Sequence, residues 1–147
     1  VAEAQAEAPA HRHVQRRGGV REPAREGGLD ARDPAAVTAF VAEHGKTRGV
    51  PDGLVVMTYG ASGKAFADLT LADFDAANQS NLTATFHLTR EVGRLMAARG
   101  SGSIVLFSSM YGVVSPDPRI YHAPMTPNPI DYGASKAAIS ALATATR

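Results

Sequence analysis

Two short apolar runs constrain this chain more than any other feature: Leu54 to Met57, and Ile104 to Phe107. The first is bounded by Pro51-Asp52-Gly53 and by Gly60, and the second is launched from Gly100-Ser101-Gly102-Ser103. A strand with one wet face alternates apolar and polar residues, whereas an unbroken apolar run reads as a strand buried on both faces. Around the two runs the period becomes helical. Asp33 followed by Pro34 supplies an N-cap and a first-turn proline, Val37, Phe40 and Val41 repeat at helical spacing, and Gly45 is placed to end that helix. Thr70 with Asp73 three residues on resembles a capping box and opens a second helix through Phe74. Thr83 to Arg99 is a third, with Phe86, Thr89, Val92, Leu95 and Met96 on one stripe and Gly100 as its stop. A proline-rich loop runs from Ser115 to Pro129. Asp131 then precedes a small-residue helix, Tyr132 onward, whose alanines permit close packing. Strands separated by helices predict parallel βαβ units, with no internal repeat.

Composition narrows the function classes. With 147 residues, 44% of them hydrophobic, the chain can bury one modest core and no second domain. A net charge of +1 offers no bulk electrostatic reason to expect a nucleic-acid or anionic-membrane partner. Cysteine is absent, which excludes disulfides, thiolate metal sites and cysteine nucleophiles and suits a reducing cytoplasm. The apolar runs fall far short of the roughly 20 residues that span a bilayer, so a soluble, cytoplasmic protein is expected. Residues 1–28 carry alanine and three valines as their only apolar side chains, with five arginines, His11 and His13 against four glutamates. Such a segment cannot offset its ordering entropy, and it reads as a disordered arm preceding a single domain over residues 29–147. Its two histidines read as solvated rather than as metal ligands, and no metal site is expected.

In an open parallel sheet, ligands sit outside the carboxyl ends of the strands. Ser108 and Ser109 follow the second apolar run, and Tyr132 and Lys136 lie at the start of the next helix. Their i, i+4 spacing puts phenol and ammonium on one helical face. A tyrosine hydroxyl, ordinarily near pKa 10, must fall by roughly two to three units to act as a base near neutrality, and a neighbouring cation favours phenolate. Serine, tyrosine and lysine together make a proton-transfer site for an alcohol or carbonyl. Singly, each has an ordinary reading: Ser109 as a strand-end hydroxyl, Asn81 as a polar helix residue, Tyr132 with Lys136 as a surface pair. His87 and His122 read as structural. Gly60-Ala61-Ser62-Gly63-Lys64 reads as a turn, because it lacks the third glycine of a dinucleotide loop and the spacing of a Walker loop.

Tyr132-Gly133-Ala134-Ser135-Lys136 resembles the Tyr-x-x-x-Lys signature of the short-chain dehydrogenases/reductases, with Ser108-Ser109 ending the preceding strand as in that family. Asn81-Leu82-Thr83 resembles the family's asparagine segment, 28 residues before Ser109. Leu54 to Gly60 occupies the place of the strand and Asn-Asn-Ala-Gly turn, although this chain reads Met57-Thr58-Tyr59-Gly60 there and keeps only the glycine. Leu29-Asp30-Ala31-Arg32-Asp33 resembles the turn whose first aspartate contacts the cofactor's adenine. Ser109 to Tyr132 spans 23 residues, about ten more than is common in the family. The resemblance covers about Leu29 to Arg147.

That resemblance implies a partial Rossmann-like doubly wound parallel α/β sheet, with the first βαβ unit and the C-terminal strands missing. It implies an oxidoreductase that moves hydride between NAD or NADP and an alcohol or carbonyl substrate. Tyr132 would be the acid/base. Lys136 would lower the tyrosine's pKa and hold the nicotinamide ribose, Ser109 would polarise the substrate oxygen, and Asn81 would hold a relay water. Asp30 and Gly60 would line the cofactor. Family members often pair the Phe86 helix and the Tyr132 helix across a dimer, so a full-length parent is expected as a homodimer or homotetramer. The competing expectation is a non-catalytic fragment or pseudoenzyme that acts as a dimerisation or interaction module.

Overall fold

Asp33 opens the first helix by the expected device: its carboxylate accepts the N–H groups of Ala35 and Ala36 at 2.9 and 3.1 Å, with Pro34 at the first position. In the computed structural model, which describes residues 28–145, this helix is α1, Pro34–Thr47. The reading of residues 1–28 as an arm falls, Gly28 apart, outside the described residues. After α1 come β1 (Gly53–Val56), α2 (Leu71–Asn78), α3 (Ala84–Arg99), β2 (Ser103–Leu106) and α4 (Ile130–Ala145). A single π-helical turn, Gln79–Thr83, joins α2 to α3.

The two strands pair in parallel, Leu54 opposite Ile104 and Val56 opposite Leu106. The ladder extends one bond past each end, Ser103 N–H to the Asp52 carbonyl and Phe107 N–H to the Val56 carbonyl, both 3.1 Å. Leu54 and Val56 point into a core shared with Val37 and Val41 of α1 and with Leu88, Val92 and Met96 of α3. Ile104 and Leu106 pack partly buried against it. The expectation of strands buried on both faces is therefore met on one face only. Val105 and Phe107 are each 46% exposed, because among the described residues no element covers the second face.

Two helix boundaries and one buried face differ from expectation. Gly45 does not end α1. It lies inside the helix, and Gly49, at φ +81°, supplies the turn. Phe86 is not on the buried stripe of α3. The buried stripe runs through Thr85, Leu88, Thr89, Val92 and Met96, so it keeps three of the expected residues and replaces Phe86 with Thr85 and Leu88. Asp131 is not outside α4 but in its first turn. By contrast Thr70 and Asp73 make the full capping box of α2, and Gly100 closes α3 in the left-handed conformation, φ +78°.

Candidate active site

The carboxyl ends of β1 and β2 converge on one side chain. Lys136, 4% exposed, donates from Nζ to the Thr58 carbonyl at 2.9 Å and to the Phe107 carbonyl at 3.0 Å. Two of its three N–H donors are thus spent on the backbone just past each strand. Burial pushes its pKa below the ordinary lysine value. The helix can bring a lysine this close because its neighbours are small. Gly112 packs so tightly on α4 that an added Cβ would lie 2.8 Å from the Ala137 nitrogen, and Gly133 likewise 2.8 Å from the Tyr111 carbonyl oxygen.

Tyr132 lies one turn before Lys136, whose Nζ is 5.8 Å from the centre of the phenol ring. The Tyr59 ring packs on it at 5.5 Å between centroids, tilted by 56°. Asn81 sits in the π turn, fully buried. Its amide donates to the Gly60 carbonyl at 2.6 Å, and an added Cβ on Gly60 would meet Ser80 at 2.9 Å, which accounts for glycine there. The Asn81 carbonyl oxygen accepts from Thr85 and, at 3.3 Å, from Thr58, while its side-chain Oδ1 is buried without a partner among the described residues. Thr58 links the two site residues: its carbonyl accepts from Lys136 Nζ and its hydroxyl donates to the Asn81 backbone carbonyl.

Ser109 is half-buried just beyond β2 and accepts the Tyr111 N–H at 3.2 Å, capping the turn Met110–Gly112. That turn rests on Gly133, so Ser109 is connected to the Tyr132 end of α4. Its neighbour Ser108 donates to the Lys136 carbonyl at 2.7 Å. Farther along the loop the Tyr111 and Tyr121 hydroxyls share a 2.5 Å hydrogen bond, which raises the Tyr121 pKa. The structure thus brings Asn81, Gly60, Lys136 and Tyr132 together and ties Ser109 in through one turn. It does not bring Asp30 into direct contact with them. Asp30 is exposed and paired with Arg32 at 2.9 Å, and the guanidinium holds its carboxyl below the usual range.

Sequence reasoning missed three residues of this cluster. Thr58 stands two residues past β1, and the sequence marks it, like Tyr59, only as a departure from the family's turn. Asp131, fully buried, was read as preceding the helix, yet its Oδ2 accepts the Ser62 N–H at 2.8 Å and its Oδ1 the Tyr132 N–H at 3.0 Å.

Parallel strands whose carboxyl ends meet a buried lysine one helical turn beyond a tyrosine place the molecule among Rossmann-like α/β proteins with a polar cluster at the strand ends. The chain belongs to the short-chain dehydrogenase family, whose model, described as short chain dehydrogenase, matches residues 1–147. It is similar to a tropinone reductase homologue from Arabidopsis thaliana, 36% identical over 80 residues, 54% of this chain and 26% of that one. Among solved structures it resembles an NAD+-bound xylitol dehydrogenase at 31% identity and TM-score 0.67, covering 79% of this chain and 41% of the other. It also resembles a short-chain dehydrogenase from Leptospira borgpetersenii with bound NAD+, at 25% identity and TM-score 0.72, covering 83% and 50%. The chain spans half or less of the length of each of these relatives.

Proposed function

We propose that this chain carries the proton-handling half of an NAD- or NADP-dependent oxidoreductase acting on an alcohol or carbonyl group. One observation carries the reading: Lys136 is buried between the carbonyls that end both strands and shares a helix face with Tyr132. The residues present suit the nicotinamide-ribose end of the cofactor. Lys136 keeps a third donor beyond its two backbone bonds, and Asn81, joined to it through Thr58, keeps Oδ1 as an unpaired buried acceptor. Among the described residues no glycine-rich turn opens a helix for the phosphates. When bound, the nicotinamide supplies the hydride chemistry.

The protein's own residues manage position and protons. Tyr132 gives or takes the proton of the substrate oxygen, with the Lys136 cation on the same helix face 5.8 Å from the centre of its ring. Ser109 hydrogen-bonds the same oxygen. Asn81 holds the water that passes the proton from Lys136 to solvent. Gly60, which lets the turn after β1 close on Ser80 and Asn81, lines the cofactor, and Asp30 reaches the adenine end. Support for these roles comes from the family and from two NAD+-bound structural relatives at 31% and 25% identity.

The decisive experiment titrates the full chain with NADH and NADPH by nicotinamide fluorescence and assays turnover, with xylitol and tropinone first in the substrate panel. Saturable binding with turnover that falls about 10²- to 10⁴-fold in Tyr132→Phe is expected. Turnover unchanged by that substitution overturns the assignment. A second reading, a non-catalytic assembly module, is favoured by the open apolar sheet face at Val105 and Phe107. Absence of cofactor binding together with concentration-dependent self-association would support it.

A further inference from the structure

Asp131 is the one fully buried carboxyl among the described residues, and both of its oxygens accept backbone N–H groups. A helix-capping aspartate satisfies N–H groups of its own first turn. Asp131 spends only one oxygen that way, on Tyr132. The other reaches Ser62, 69 residues earlier, in the turn that follows β1. That turn also carries Tyr59, whose ring packs on the ring of Tyr132. Two contacts therefore join the same pair of segments, one polar and buried, the other aromatic and open to solvent, with Tyr59 58% exposed. An exposed ring contact on a turn contributes little order by itself, whereas a buried carboxyl with two N–H partners admits one geometry.

We propose that Asp131 is a positioning residue, which holds the Tyr59–Ser62 turn against the first turn of α4 and so sets the Tyr59 ring against Tyr132. The role of Tyr132 as acid/base rests on the function proposed above; the tether itself does not. By this device the ring of Tyr132 is flanked by the Tyr59 ring and by the Lys136 ammonium. Ser135 closes the arrangement from behind, donating to Asn78 Oδ1 at 3.1 Å and so joining α4 to α2.

The chain has four tyrosines and no tryptophan, so the Tyr59–Tyr132 ring contact and the hydroxyl-bonded Tyr111–Tyr121 pair are separable by proton NMR on tyrosine-labelled full chain. Asp131→Ala removes the acceptor and Ser62→Pro removes the donor. Ser62→Ala, which keeps the N–H, is the control. The expected result is loss of the Tyr59–Tyr132 cross-peak in the first two variants, its retention in the third, and an intact Tyr111–Tyr121 cross-peak in all. Where the chain turns over, kcat should fall on the order of 10²-fold in the first two variants. Retention of the Tyr59–Tyr132 cross-peak in either Asp131→Ala or Ser62→Pro overturns the proposal. So does joint loss of both cross-peaks, which would mark Asp131 as part of the scaffold. If Tyr132→Phe turns over like the parent chain, the acid/base reading fails while the cross-peaks still decide the tether.

Discussion

The Lys136 ammonium hydrogen-bonds the carbonyl of Thr58, 78 residues earlier in the chain, at 2.9 Å. This single bond joins the end of β1 to the middle of α4 and makes a buried cation part of the frame as well as of the site.

Burial holds the Lys136 pKa below 10.5, so the sign of its pH dependence follows. Between the folded value and 10.5 the unfolded chain binds a proton that the folded chain has released, and stability rises with pH across that window. Below it, the cost of burying the charge is fully present. Thermal midpoints measured in steps up to pH 10.5 should show this rise in the parent chain, and the slope should shrink in Lys136→Met. Equal slopes in the two proteins would contradict it.

Asp73 behaves in the opposite sense. A hydrogen bond from Lys64 Nζ at 2.7 Å, followed by bonds from Thr70, draws its pKa from 3.8 down to about 2. Its contribution is present above 3.8 and is lost as pH falls through about 2. Lys64→Met should therefore shift the onset of acid unfolding to higher pH, read by far-UV circular dichroism. Thr70→Ala, which removes the N-cap of α2, should cost about 1 kcal/mol at neutral pH in a denaturant titration.

Gly112 and Gly133 meet backbone, not flexible side chains, where a Cβ would go. Alanine at either position forces the Met110–Gly112 turn away from α4. Each substitution should cost roughly 1–3 kcal/mol by chemical denaturation, with the larger loss at Gly112, which faces α4 at two backbone atoms within 2.9 Å.

Leu88 and Phe86 make a paired test of the phase of α3. Leu88 is 2% exposed in the core and Phe86 is 45% exposed under the guanidinium of Arg90. Leu88→Ala should destabilise by about 2–5 kcal/mol, and Phe86→Ala by no more than about 1 kcal/mol. The reverse ranking would mean that the stripe read from the sequence, with Phe86 in it, is the buried one.

Much of the frame was legible because it is encoded within a few residues. The Asp33-Pro34 start, the Thr70/Asp73 capping box and the Gly100 stop are local hydrogen-bonding devices, and they stand where the sequence puts them. The two strands are parallel, as uninterrupted apolar runs between helices require. Gly45 and Phe86 differ from expectation because a glycine inside a helix need not end it and because which face of α3 is buried is set by the elements packed against it.

For the site, the sequence by itself determined the chemical types and their order: an asparagine, a serine after the second strand, then tyrosine and lysine one helical turn apart. Only the tertiary structure decided which atoms meet. Lys136 turns inward to the Thr58 and Phe107 carbonyls, Asn81 binds the backbone of Gly60, and Asp131 crosses to Ser62. Asp30 pairs instead with its own neighbour, Arg32. Spacing along the chain specifies a helix face. Contacts between residues far apart in sequence are set by how closely packed segments approach, and here small residues on α4 and in the turns beside it allow that approach.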